Sequence, residues 1–113
     1  MKVYENIPSS LHYRVKKILG LANDEDYIAY LDSIKSEAKV YIKTKLDDEA
    51  SLDSDQTNLA IDLYIQYQMF AKTENEVISH DKIVTLDGMI ESVNQKWREK
   101  NKDVRKVRGL RVY

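Results

Sequence analysis

The 113-residue chain carries 18 Lys and Arg against 19 Asp and Glu, holds no Cys and is 42% hydrophobic. This length fits one domain with a single core, and the lack of Cys excludes disulfide frameworks, thiolate zinc sites and cysteine nucleophiles. No apolar run approaches the roughly 18 to 20 residues of a membrane span, and Met1 to Pro8 lacks the basic-then-apolar layout of a signal peptide, so no membrane partner and synthesis in a cytoplasm are expected.

The near-neutral total hides an asymmetry. Residues 96–113 hold eight Lys and Arg against two acids, whereas residues 1–95 hold ten bases against seventeen acids. An acidic body resists self-association, and a basic tail is suited to reach another surface. With only three Gly and one Pro, a fold of many tight turns is disfavoured and helices are expected.

Ser9 and Ser10 precede Leu11, Val15, Ile18 and Leu19, which recur on one helical face, and Gly20 is placed to end that short helix. Asn23 followed by Asp24, Glu25 and Asp26 is a cap with carboxylates where the helix dipole favours them. Ile28, Leu31, Ile34, Ala38, Tyr41 and Ile42 then trace an apolar stripe, predicting a helix over about 24–46. Residues 46–56, rich in Asp and Ser, read as a loop carrying a new cap.

From Asn58, the residues Leu59, Ala60, Leu63, Tyr64, Tyr67, Phe70 and Ala71 form a broad apolar face, which marks the central helix. Residues 72–81 are polar and mixed in charge. Leu86, Met89, Ile90, Val93 and Trp97 resume the helical period, predicting a fourth helix over about 85–100 with a weak first turn at Gly88. Beyond Asn101, valines alternate irregularly with cations, the pattern of an extended segment that orders on a partner or, equally, of a frayed, solvated terminus. The fold expected is all-α: a small four-helix bundle over residues 1–100 and an extended basic C-terminal docking tail over residues 101–113.

The motifs of chemistry are missing. Asp47, Asp48, Glu49, Asp53 and Asp55 crowd together, but counting from Asp47 places Leu52 where a calcium loop needs Gly and Asn58 where it needs Glu. His12 and His80 lie far apart without a second ligand at helical spacing and read as surface side chains. No phosphate loop, nucleophile elbow or kinase series occurs, so no enzymatic role, cofactor or metal is expected. A helix-turn-helix is opposed by Asp24, Glu25 and Asp26 at the start of the second helix, where phosphates would be repelled. Of the eight Tyr, most are expected in the core, with Tyr30 and Tyr113 as candidate contacts.

Taken in order, the helix ending at Leu19 to Leu21, the acidic Asn23 to Tyr27, the stripe running into Ser36 to Leu46, the block Asn58 to Glu76 and the final Leu86 to Trp97 resemble one family. The chain looks like the head-tail connector, or adaptor, proteins of long-tailed phages, over about residues 10–97. The resemblance implies a structural virion protein at the head-tail interface. Identical subunits form a dodecameric ring under the portal protein, a stopper or tail-completion protein lies beyond, and DNA passes transiently through the channel without specific contacts.

In that family the terminal segment embeds in the portal, which makes Val104, Arg105, Lys106, Val107, Arg108, Leu110, Arg111, Val112 and Tyr113 the candidate portal-binding tail. Asp47, Asp48, Glu49, Asp53, Asp55, Glu74, Glu76 and Asp81 are candidates for loops facing the channel or a neighbouring subunit, since an acidic lining lets DNA slide. The alternative is a small helical DNA-binding or regulatory protein that uses the same basic tail.

Overall fold

A computed structural model describes the backbone of residues 7–112 and the side chains of residues 7–100. It comprises four helices, α1 (Ser9–Leu19), α2 (Asp24–Lys45), α3 (Ser54–Lys72) and α4 (Glu76–Val112), with no strand among the described residues. Helix α4 is assigned through the segment expected to be an extended tail; the side chains of that segment, and Tyr113 altogether, lie outside the described residues.

Local chemistry sets most of the helix ends. Asn23 caps α2 by accepting from the Glu25 amide at 2.7 Å, and Asp53 opens α3 with a full capping box, its side chain accepting from the Gln56 amide while Gln56 accepts from the Asp53 amide. Gly20 ends α1 at φ 68°, its amide and that of Leu21 closing on the carbonyls of Lys17 and Lys16. The serines expected to cap α1 do not: Pro8 occupies the cap without a side-chain bond, its carbonyl takes the Leu11 and His12 amides, and Ser9 and Ser10 form the first turn.

Two helices start earlier than the periodicity predicts. The first turn of α3, Ser54 to Thr57, is largely solvent-facing and so shows no apolar spacing, although the capping box defines it. Helix α4 begins at Glu76, nine residues before the expected start, because Thr73 to Asn75 alone turn the chain. Glu74 takes φ 61°, and the Asn75 amide reaches back to the Phe70 carbonyl at 2.9 Å. Residues 76–81 are therefore helical, and Gly88 lies inside an unbroken helix, well past its first turn.

Helix α3 is the centre, as its broad face requires: residues 60–66 are buried without interruption, which is possible only with neighbours on several sides. Leu31 from α2, Ile65 and Met69 from α3, and Leu86 and Ile90 from α4 are at most 2% exposed, with Val15 of α1 closing the cluster. Each such side chain stabilises by about 1.5–3 kcal/mol relative to exposure. The stripes are shifted in places. Tyr27 is buried where Ile28 was expected, and Ile18 and Leu59 face solvent.

Helices α2 and α4 run parallel, with α3 antiparallel to both, because Tyr41 pairs with Asp87 and, one turn further along α2 and two turns further along α4, Lys45 pairs with Asn94. The bundle thus has one end formed by the α2–α3 loop and another formed by the α3–α4 turn. At 1.5 Å per residue, the 19 residues of α3 separate the two ends by roughly 28 Å.

Candidate functional site

The sequence-predicted acidic residues fall into two groups, one at each end of the bundle. Asp47, Asp48, Glu49, Asp53 and Asp55 surround the α2–α3 loop, while Glu74, Glu76 and Asp81 surround the start of α4. The length of α3 keeps the groups apart, so they are two surfaces and do not meet in one site.

Within the first group the roles diverge. The Asp47 carboxylate is held by Arg98, whose Nε and Nη2 donate to it at 2.5 and 2.8 Å, while Nη1 donates to Glu91 at 3.0 Å. The paired Asp47 carboxylate, first by hydrogen bonding, raises the Arg98 pKa above its ordinary value. Asp53 serves as the α3 cap. Glu49 sits at φ 69°, a left-handed position that non-glycine residues adopt at a cost. Asp48 and Asp55 are exposed. Asp47 and Asp53 therefore have structural roles, and the solvent-facing acidic charge at this end comes from Asp48, Glu49, Asp55 and the exposed Asp53.

The anchor of this end is Asn94, a residue that sequence reasoning passed over. It is 2% exposed; its Oδ1 accepts from the Asp47 amide at 2.8 Å and its Nδ2 donates to the Lys45 carbonyl at 3.0 Å. One side chain thus satisfies two backbone groups at the C-terminus of α2. Asp87, two turns earlier on α4, accepts from the Tyr41 hydroxyl at 2.5 Å and lies 3.8 Å from the Lys45 ammonium. The signal was present: Asn94 sits at i+4 from Ile90, on the apolar face of the fourth helix, where a polar side chain needs a partner.

At the other end, the Ser79 hydroxyl donates to the Tyr67 carbonyl at 2.8 Å, pinning the start of α4 to α3. Glu76 and Asp81 are exposed, as are Val77 at 75%, Val84 at 52% and Ile78 at 37%. Tyr67, Glu76, Val77, Ser79, His80 and Asp81 line a shallow hollow of about 510 Å³ there. An acid-rimmed apolar face therefore lies on the first turns of α4, in a segment that the periodicity assigned to a polar connection.

The aromatic residues are mostly core, and Tyr30 is not a surface contact. It is half-buried, stacks on Tyr27 at a centroid distance of 6.0 Å, and its hydroxyl is shielded from solvent. His12 is likewise no free surface imidazole; its Nδ1 lies 2.5 Å from the Tyr27 hydroxyl. Burial pushes the Tyr27 hydroxyl well above its ordinary pKa, and burial followed by the Asp87 hydrogen bond does the same for Tyr41. Among the described residues, the exposed tyrosine is Tyr13, at 65%.

Among the described residues, no group of three or more His, Asp or Glu is placed to hold a metal ion, and no helix is long and apolar enough to cross a membrane. The side chains Val104, Arg105, Lys106, Val107, Arg108, Leu110, Arg111, Val112 and Tyr113, the predicted docking tail, lie outside the described residues. A scan against protein-family models finds no match to the chain, and comparisons with curated proteins and with solved structures find none either.

Proposed function

We propose that the chain is a head-tail connector of a long-tailed phage, a structural virion protein whose copies form a ring under the portal and dock through the C-terminal tail. The observation that carries this reading is the separation of charge along a single helix: an acidic four-helix body gives way, from Lys96 onward, to eight cations against two acids. Asn94 clamps α4 to the end of α2 just before that segment begins, and Arg98, one of its eight cations, does so just inside it. The body thereby offers a fixed base from which the tail reaches a partner.

The carboxylates at the two ends suit a channel. In a ring whose axis runs along the helices, Asp48, Glu49 and Asp55 lie at one mouth and Glu74 and Glu76 at the other. Carboxylates at a mouth repel phosphates and let duplex DNA pass without being held by counterion release. At the α2–α3 end Asp48 and Glu49 share their hollows with Lys39, Lys43, Lys96 and Lys100, so the acidic mouth is the one that bears Glu74 and Glu76. The family-like order of helices, with a short α1, an acid-started α2 and a buried central α3, supports the same reading. No reaction is part of this role.

The test is co-sedimentation with intact rings of the portal protein encoded nearest the gene. The full chain is expected to sediment at one copy per portal subunit, and a chain ending at Asn101 to remain in the supernatant. Undiminished association of the shortened chain would refute tail docking. Absence of any association, together with tight salt-sensitive binding to duplex DNA, would replace the connector by a DNA-binding role for the tail.

A further inference from the structure

The exposed face at the start of α4 has a chemistry that the bundle itself does not use. Val77 and Val84 stand seven residues apart, two helical turns, and so share one side of α4, with Asp81 between them and Ile78 beside them. Glu76, His80 and Asp81 line, with Tyr67 and Val77, the 510 Å³ hollow that opens next to it. Apolar side chains at 75% and 52% exposure, rimmed by carboxylates, call for a ligand that is itself apolar and cationic.

One segment of this chain has that composition. Residues 102–113 carry Val104, Val107, Leu110 and Val112 interleaved with Lys102, Arg105, Lys106, Arg108 and Arg111. We propose that this tail docks on the Val77–Val84 face of a second copy, its valines and leucine covering the apolar strip and its cations pairing with Glu76 and Asp81.

The occupant is a second copy for a geometric reason. Arg98 and Asn94 fix α4 at the end of the bundle far from Val77, and the helix is assigned onward to Val112, so its own tail is carried away from the face. From Val77 to Arg98 the helix rises roughly 32 Å. The resulting contact joins two different surfaces, one tail and one face per copy, so it closes as a two-fold dimer with exchanged tails or extends into a longer head-to-tail assembly. It is distinct from portal docking, although the two compete for the same tail.

Sedimentation velocity over a concentration series tests the contact. The full-length chain is expected to show a sedimentation coefficient that rises with concentration and falls back when salt shortens the Debye length from about 8 to about 3 Å. The charge-reversed face (Glu76→Lys with Asp81→Lys) and the charge-reversed tail (Arg105→Glu with Arg108→Glu) should each sediment as monomers. Their equimolar mixture should associate again, because one partner retains a basic tail and the other an acidic face.

Circular dichroism verifies that the variants, all at exposed or tail positions, remain helical. A wild-type chain that stays monomeric up to its solubility limit, a face variant that associates like the wild type, or a mixture that fails to recover association would each overturn the proposal. Portal co-sedimentation of the face variant separates the two ideas: if it is retained while self-association is lost, the contact stands alongside the connector role. If portal binding is absent in every form while the mixture associates, the contact stands without it.

Discussion

Asn94 is the hydrogen-bond partner of two backbone groups at the end of α2. An isosteric apolar replacement, Asn94→Leu, leaves the Asp47 amide and the Lys45 carbonyl without their partner and is expected to cost about 2–3 kcal/mol. Urea unfolding measures this directly; a loss below about 0.5 kcal/mol, the range of ordinary surface substitutions, would show that the clamp is not stabilising. Glu74 offers the opposite case, since its φ of 61° is a position that glycine adopts freely. Glu74→Gly is expected to raise stability by up to about 1 kcal/mol, read as a higher thermal midpoint. A lower midpoint would mean that the Glu74 side chain contributes more than its backbone strain costs.

At the scale of helices, the tyrosines that join α2 to its neighbours make stability depend on alkaline pH. Tyr27 and Tyr41 have folded-state pKa values raised above the ordinary value near 10, by burial first and, for Tyr41, by the Asp87 carboxylate next. A raised pKa favours the protonated form in the folded state. The contribution is therefore complete below about pH 10 and is lost as pH climbs from there toward the folded-state values. The urea midpoint should accordingly change little between about pH 7 and 9 and fall above about pH 10, and Tyr41→Phe should flatten that fall while lowering the midpoint at neutral pH. A Tyr41→Phe chain with an unaltered alkaline profile would contradict the role given to this hydroxyl.

Gly88 tests the same helix from outside. A Cβ there meets nothing within 4 Å, so Gly88→Ala should stabilise α4 by about 1 kcal/mol. A thermal midpoint that does not rise would show that this stretch gains nothing from helix propensity. The periodicity revealed the central helix, because Ala60 to Gln66 are buried on all sides and their apolar members are conspicuous. It placed α4 too late because the first turns of that helix bury only Ser79 and half-bury Ile83, while Val77, Ile78 and Val84 face water. A helix that touches its bundle through a hydroxyl and one aliphatic chain leaves little apolar period to read. The acidic candidates were visible as charge, but their division between a salt-bridged Asp47, a capping Asp53 and the exposed remainder depends on Arg98 and Gln56, which only the folded chain brings to them.

For the whole molecule, the central contrast is between an acidic body with a core of its own and a basic tail. The Asn94 and Arg98 clamps hold α4 to the end of α2 before residue 101 is reached. A chain ending at Asn101 should therefore retain the thermal midpoint of the full protein to within a few degrees, as calorimetry would record. A cooperative transition lost on truncation would mean that the tail belongs to the core. The proposed connector role requires that copies of this chain form a ring docked on a portal. Native mass spectrometry of portal rings incubated with the full chain tests it most directly. One added copy per portal subunit, abolished by deleting Val104 to Tyr113, is the predicted result; portal rings of unchanged mass would contradict it.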